Sequence, residues 1–386
     1  LTRRAYLQSW MTVLLASIFV INNFPSRAAQ TQPETKGASL PTSLRDKILQ
    51  DMAWRSFVPK PEVQILRTEE ALFNGCLDVA PLDQLCSAIG LRGWKVTIAA
   101  RQNRWIYHAT QNYGFKLNAR ASLSPAIANE VLEEASWRSG LPFSQLKIYW
   151  VENKTWDNSC FGLPGLISCI AAKTPGWQVT VTDGTKQRWV YRTGLSYSAL
   201  FDIAASQINP KIPPNFTKGT ANAVLQDMSK RTAIPLAALQ VVSAEPRILN
   251  GCLDIAPPGT ACTEIGLPGW RVVAQGYQQR WVYHVATGRG LKLNGPESLP
   301  RKLVRGVLKD VYPATETPPA NLKIFWVEQK VWTDSCRGFP VSVPKDICTP
   351  GNFPGWIVTT TNGEQNWVYH TGLYEGATLF STSKKQ

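Results

Sequence analysis

Apolar and polar positions along the chain switch between a helical period and a strand period in a recurring order. From Ser124 the pattern is helical. Ser124 and Pro125 suit an N-cap and a first helical position, and Ile127, Val131 and Leu132 recur at helical spacing. Gly140 and Pro142 end that run. Leu146 to Glu152 then reads as a strand. Pro175-Gly176 is a turn, and Trp177, Val179 and Val181 alternate along the next strand. Asp183-Gly184 is a tight hairpin signal, a part played by Asn362-Gly363 near the end of the chain. Trp189 to Arg192 is the returning strand. The pattern predicts a helix packed on a small antiparallel sheet.

The same order occurs four times. Ile48-Leu49-Gln50-Asp51-Met52 returns as Val224-Leu225-Gln226-Asp227-Met228, and Asn74-Gly75-Cys76-Leu77-Asp78 as Asn250-Gly251-Cys252-Leu253-Asp254, both 176 residues later. Trp94, His108 and Lys116-Leu117-Asn118 keep that offset at Trp270, His284 and Lys292-Leu293-Asn294. A second module repeats in the same way, with Leu146-Lys147-Ile148 at Leu322-Lys323-Ile324 and the run 156–160 at 332–336. Duplication of one module, then of the pair, accounts for this. The predicted class is α+β, with four tandem repeats over 41–120, 121–200, 216–296 and 297–376. Residues 201–215, with Pro210, Pro213 and Pro214, read as a linker, 29–40 as a disordered linker, and 377–386 as a tail.

The first residues stand apart from this pattern. Arg3 and Arg4 precede an apolar run from Trp10 to Ile21, short for a spanning helix, and Ser26-Arg27-Ala28 offers small residues at a cleavage site. Residues 1–28 read as a secretory signal peptide; left uncleaved, they would be the chain's one tie to a membrane. The formal charge of +14 is diffuse, without a long Lys/Arg block. For an exported chain, periplasmic or extracellular, such charge points to an anionic polysaccharide of the envelope or to a protein partner, and away from nucleic acid.

The eight Cys fall two to a module: Cys76 and Cys86, Cys160 and Cys169, Cys252 and Cys262, Cys336 and Cys348. An even count per repeat in an exported chain implies disulfides, and pairing within each module is the parsimonious choice. Structural zinc usually takes closer Cys pairs, and redox chemistry commonly uses Cys-x-x-Cys. No metal and no cofactor is expected.

The three His, at 108, 284 and 370, share one module position, where the remaining copy has Arg192. The aligned acids are Glu69, Glu152, Glu245 and Glu328. Alternation places Glu152 on the face of Leu146, Ile148 and Trp150, which is read as the inner one. These positions suggest a Glu–His or Glu–Arg ion pair across each sheet. A Glu/His acid–base site is the catalytic alternative, and Arg192 argues against it because arginine does not shuttle protons at neutral pH. The motif Trp at 94, 105, 177, 189, 270, 281, 356 and 367 are expected in the core, against the disulfide. Trp156 and Trp332, just before a Cys, are candidates for exposure and binding, as are Asp78 and Asp254, which occur in the odd modules only.

The runs Trp156-Asp157-Asn158-Ser159-Cys160-Phe161-Gly162-Leu163-Pro164, Pro175-Gly176-Trp177 and Trp189-Val190-Tyr191-Arg192-Thr193 resemble those of a group of uncharacterised exported proteins of cyanobacteria and other bacteria. At the level of fold the module looks like small helix-on-sheet domains of the PepSY or cystatin type. The resemblance spans about residues 41–376 and implies no activity. Repeats without a catalytic constellation suggest an extracytoplasmic binding or interaction protein. A secreted peptidase inhibitor presenting the loop Phe161 to Ser168 is one alternative, and a hydrolase using a Glu/His pair is another.

Overall fold

The computed structural model describes residues 39–164, 169–196, 199–315, 318–339, 348–374 and 376–384. Residues 1–28, read from the sequence as a signal peptide, and residues 29–38 lie outside the described residues. Module 1 runs α1 (Thr42–Ser56), β1 (Val63–Phe73), β2 (Leu91–Ala100), β3 (Asn103–Thr110) and β4 (Gly114–Leu117). A short helix α2 (Ala119–Ser122) leads to module 2: α3 (Pro125–Ser139), β5 (Lys147–Trp156), β6 (Thr174–Thr182), β7 (Trp189–Gly194) and β8 (Leu200–Phe201). Module 3 repeats module 1 as α4 (Lys218–Thr232), β9 (Gln240–Leu249), β10 (Leu267–Gly276), β11 (Gln279–Ala286) and β12 (Gly290–Asn294). After α5 (Gly295–Ser298), module 4 has α6 (Arg301–Thr315), β13 (Lys323–Asp334), β14 (Pro350–Thr361), β15 (Gln365–Gly372) and β16 (Thr378–Lys384). Each module is thus one helix on a four-stranded antiparallel meander, and the fold is α+β with four repeats.

The helices form where the sequence signals them. The Ser124 hydroxyl accepts from the Ile127 amide at 3.3 Å, Pro125 opens the helix, and Gly140 closes it at φ 71°. Each long helix buries residues four apart, such as Leu44, Ile48 and Met52 in α1 and Leu303, Val307 and Val311 in α6. These stripes face the sheet of their own module, where the apolar face of an amphipathic helix belongs.

Three features differ from the sequence-based expectations. Each module has a fourth strand, and β16 lies in residues read as a tail. The first strand of every module carries a β-bulge, between Ile65 and Arg67, Ile148 and Trp150, Val241 and Ser243, and Ile324 and Trp326. An extra residue reverses the facing of everything after it. Val151 therefore points into the core, 1% exposed, and Glu152 lies on the outer face, not the inner one. Finally, Asp183-Gly184 opens a connection spanning 183–188 rather than a two-residue hairpin.

The modules share cores in pairs. One apolar cluster joins modules 1 and 2, and another joins modules 3 and 4. Trp105 meets Trp177 at 4.8 Å between ring centroids, and Trp281 meets Trp356 at 5.4 Å. The motif Trp are buried as expected, except half-buried Trp270, and four of them, Trp105, Trp177, Trp281 and Trp356, meet across the seam between modules. The two pairs also touch. The Gln278 side chain accepts from the Phe201 amide at 2.7 Å and donates to its carbonyl at 2.8 Å, as a strand would on the edge of β8. Within 201–215, Lys211 pairs with the bulge of β9 through Val242 and Ala244. Among the described residues no helix is long and apolar enough to cross a membrane.

Candidate functional site

The Glu and His positions share a row across each sheet but do not meet. Glu69 lies opposite Lys95, which lies opposite His108; Glu152, Gln178 and Arg192 repeat that row, as do Glu245, Arg271 and His284, and Glu328, Ile357 and His370. Two strand spacings, about 9–10 Å, separate acid from His. Glu69 pairs instead with Arg67 at 3.0 Å, Glu152 with Lys154 at 2.6 Å, and Glu245 with Arg247 at 3.3 Å. The expected Glu–His and Glu–Arg pairs are therefore corrected. No Glu/His dyad forms at these positions.

The His and Arg hold the disulfide loops. The bonds pair Cys76 with Cys86, Cys160 with Cys169, Cys252 with Cys262, and Cys336 with Cys348. The residue after each first Cys has a left-handed backbone: Leu77 at φ 58°, Phe161 at 57°, Leu253 at 57° and Arg337 at 57°. This conformation costs about 1–2 kcal/mol per non-glycine residue, so something must hold it. His108, His284 and His370 each donate through Nδ1 to the carbonyl of that residue at 2.7 Å, and Arg192 does so at 2.9 Å. A carbonyl only accepts, so the proton sits on Nδ1. Burial pushes the His108 and His370 pKa values down, against the pull of those carbonyls.

The carboxylate that serves Arg192 is Asp202, at 2.7 Å from Nε. His108 has Asn118 at the equivalent place, 3.3 Å from Nε2. Sequence reasoning missed this exchange, although Asn118 and Asn294 stood in a recognised repeat.

The remaining candidates are structural as well. Asp78 accepts from the Asn74 amide at 3.1 Å while the Asn74 side chain accepts from the amides of Cys76 and Asp78; Asp254 and Asn250 repeat the arrangement. Trp156 and Trp332, expected at the surface, are buried, at 8% and 7% exposure. Their ring N–H groups donate to the carbonyls of Thr193 and Thr371, and Arg192 lies 5.0 Å over the Trp156 ring. Phe161 is 1% exposed and presents nothing to a protease; residues 165–168 of that loop lie outside the described residues. Asp334, Cys336 and Cys348 gather three ligand-type atoms, but both sulfurs are spent in the disulfide.

An open site lies instead where β4 and α2 of module 1 face β5 of module 2. A cleft of about 450 Å³ adjoins a hollow of about 200 Å³, and Val79, Ala119 and Trp150 line both. The acids around it are engaged within the chain. Asp51 accepts from Tyr107 Oη and Arg55 Nε, each at 2.7 Å, and Glu152 accepts from Trp150 Nε1 at 3.0 Å as well as from Lys154. Burial first, and then the Asp51 carboxylate, pushes the Tyr107 pKa up, so its phenol stays protonated. Some desolvation raises the Glu152 pKa, but the Lys154 and Trp150 hydrogen bonds outweigh it and the net shift is down. Apart from Arg55, the cations are freer. Lys116 reaches a backbone carbonyl, that of Cys76, at 3.4 Å, and exposed Arg120 has no partner among the described residues.

The second pair differs at this place. Pro296 stands where Arg120 would be and Glu297 where Ala121 would be, and Glu297 is taken up by Arg271. Gly295 replaces Ala119 and approaches the Val327 carbonyl so closely that a Cβ would collide.

A family model for a domain of unknown function, DUF8738, matches residues 128–201, 221–293 and 304–380, more than half of the chain. The chain belongs to that family. The matched spans fall in modules 2, 3 and 4, and module 1 has the same topology without being matched. No curated protein and no solved structure matches the chain.

Proposed function

We propose that this DUF8738 protein is an extracytoplasmic binding protein that takes a carboxylate-bearing glycan in the cleft between modules 1 and 2. The carrying observation is the charge state of that cleft. Asp51 and Glu152 are paired with Arg55 and Lys154, and Asp78 accepts from the Asn74 amide, while Lys116 and Arg120 at the rim have no carboxylate among the described residues. Half-buried Trp150 adds an aromatic surface on which a sugar ring can stack. Four disulfides fit a chain that folds in an oxidising compartment, periplasmic or extracellular, and the diffuse positive charge favours an anionic polymer.

The test is calorimetry on the oxidised chain from Ala29, with oligogalacturonate and a neutral oligosaccharide of equal length. Binding of the acidic probe that weakens with salt, and falls at least tenfold in Lys116→Gln with Arg120→Gln, is the expected result. Equal binding of both probes, or no loss in that variant, overturns it.

A peptidase inhibitor is the second reading, on a loop other than the one the sequence suggested. Leu85 is 97% exposed beside Cys86 in the disulfide loop of module 1. Such a pinned side chain suits a protease pocket, since a loop already rigid loses little entropy on docking. Inhibition of a chymotrypsin-like protease that vanishes in Leu85→Asp would favour this reading; none would remove it.

A further inference from the structure

We infer that the cleft between modules 1 and 2 reads a vicinal diol of its glycan through the backbone N–H and C=O of Leu117, an inference that rests on the glycan reading of that cleft. β4 is an edge strand, with β3 as its one neighbour in the sheet. In an antiparallel ladder, residues that exchange hydrogen bonds with the neighbouring strand alternate with residues whose N–H and C=O point away from it. The Asn118 amide donates to the Ile106 carbonyl at 2.8 Å, so Leu117, opposite Tyr107, is of the outward kind. Leu117 is half-buried and lines the cleft, as Lys116 and Trp150 do. Neither its N–H nor its C=O has a partner among the described residues. A backbone pair shielded in this way needs hydrogen bonds from outside its own sheet.

Module 2 shows what such a pair takes. Phe201 holds the same place on β8, opposite Tyr191, and the Asp202 amide donates to the Val190 carbonyl at 2.8 Å. The outward N–H and C=O of Phe201 are both met by one group, the Gln278 carboxamide, which comes from the module that follows. The module that follows module 1 presents β5, and there the edge of β4 meets a cleft of about 450 Å³ lined by Trp150 and Val151. The edge that Gln278 closes in module 2 is open in module 1.

The group that fits must accept and donate side by side. A carboxylate does not, because it only accepts. Two neighbouring ring hydroxyls do: one accepts from the Leu117 N–H while the next donates to the Leu117 C=O. A uronate ring with both hydroxyls free thus offers its carboxylate to Lys116 and Arg120, its face to Trp150 and its diol to Leu117. A peptide strand is the competing occupant of a sheet edge. It would also use Phe115, the other outward residue of β4, opposite Ala109. β4 runs only from Gly114 to Leu117 before the chain turns into α2, which leaves a strand little edge to pair with. One small group suffices at Phe201, and the same economy favours the diol at Leu117.

The test uses the full oxidised chain. Its probes are oligogalacturonate, the same oligomer with one hydroxyl of each vicinal pair methylated, and oligoglutamate. Methylation keeps the charge and removes a donor. Calorimetry should give about tenfold weaker binding of the methylated oligomer, the size of a lost hydrogen bond or two. In amide NMR, oligogalacturonate should move the Leu117 signal downfield, and by more than the Phe115 signal. Leu117→Pro removes the outward N–H and no ladder bond, and should bring both glycans to one affinity; if that variant does not fold, the amide signals decide. Equal binding of the two glycans with a still Leu117 signal overturns the inference and leaves the charge reading of the cleft standing. Binding of neither glycan overturns that reading, and this inference with it. Oligoglutamate that binds as tightly and moves Phe115 and Leu117 together makes the edge a strand-docking site and also overturns the diol.

Discussion

Position 108 and its three counterparts show how one requirement admits two chemistries. The left-handed residue after the first Cys needs a donor on its carbonyl. A neutral imidazole with an amide beside it meets that need at His108 and Asn118, and a guanidinium with a carboxylate meets it at Arg192 and Asp202. His108→Arg alone should then destabilise the protein, because it half-buries a cation without its acid. His108→Arg with Asn118→Asp should recover most of the loss, with a coupling of about 0.5–3 kcal/mol in a denaturant-monitored double-mutant cycle. Additive effects would mean that the two positions are independent. The same burial gives a pH dependence. His108 and His370 are held below the ordinary 6.5 in the folded chain, so the unfolded chain binds more protons as the pH falls. Their stabilising effect is complete above about pH 6.5 and is lost as the pH drops toward their lowered folded values. Urea midpoints at pH 7.5 and 5.5 should show the decline, and His108→Gln should flatten it.

Disulfide loops, bulges and short edge strands are the elements that separate what the sequence revealed from what it concealed. The even count per repeat, in a chain read as exported, indicated the Cys pairs, because two Cys in each copy make pairing within the module the parsimonious choice. Replacing Cys76 and Cys86 by Ser should remove up to about 3 kcal/mol and let the loop that carries the exposed Leu82 and Leu85 unfold into a protease cleft, read as faster cleavage there by limited proteolysis with mass spectrometry. The Asn74–Asp78 turn should persist, since its hydrogen bonds do not depend on sulfur. The helices and first three strands were legible from capping residues and from alternation such as Trp177, Val179 and Val181. The fourth strand was not, because Gly114–Leu117 is too short to show a period. The facing of Glu152 was hidden by the bulge: Leu146, Ile148, Trp150 and Glu152 alternate faultlessly in the sequence, and one inserted residue turns the last two outward. Trp156 looked exposed because a loop position before Cys says nothing of a carbonyl, that of Thr193, which lies on another strand. The cleft was out of reach for a related reason. Asp51, Lys116 and Trp150 belong to different elements and come together only through the packing of two modules.

In the whole molecule the pair, rather than the module, is the unit that holds a core. Trp105 is fully buried, and part of what buries it is Trp177 of the next module. A large aromatic side chain of this kind contributes up to about 4–6 kcal/mol when removed from water, which is comparable to the whole net stability of a small domain. A fragment 39–120 should therefore fail to unfold cooperatively, whereas 39–203 should give a single sharp transition by circular dichroism. The contact between pairs is of another kind. It rests on polar groups, above all the two hydrogen bonds between Gln278 and the edge of β8 at Phe201, with the Arg138 contact to the Gln278 carbonyl beside them. Interfaces built this way couple domains less strongly than a shared apolar core does. Gln278→Ala removes both side-chain hydrogen bonds to Phe201 and leaves each core untouched. Scanning calorimetry should then resolve two transitions, one for each pair, where the unmodified chain gives one. If the variant still melts as one unit, the coupling lies in the packing around Trp137 and in Lys211 on β9. If the unmodified chain already melts in two steps, the pairs are independent folding units and the polar joint only orients them.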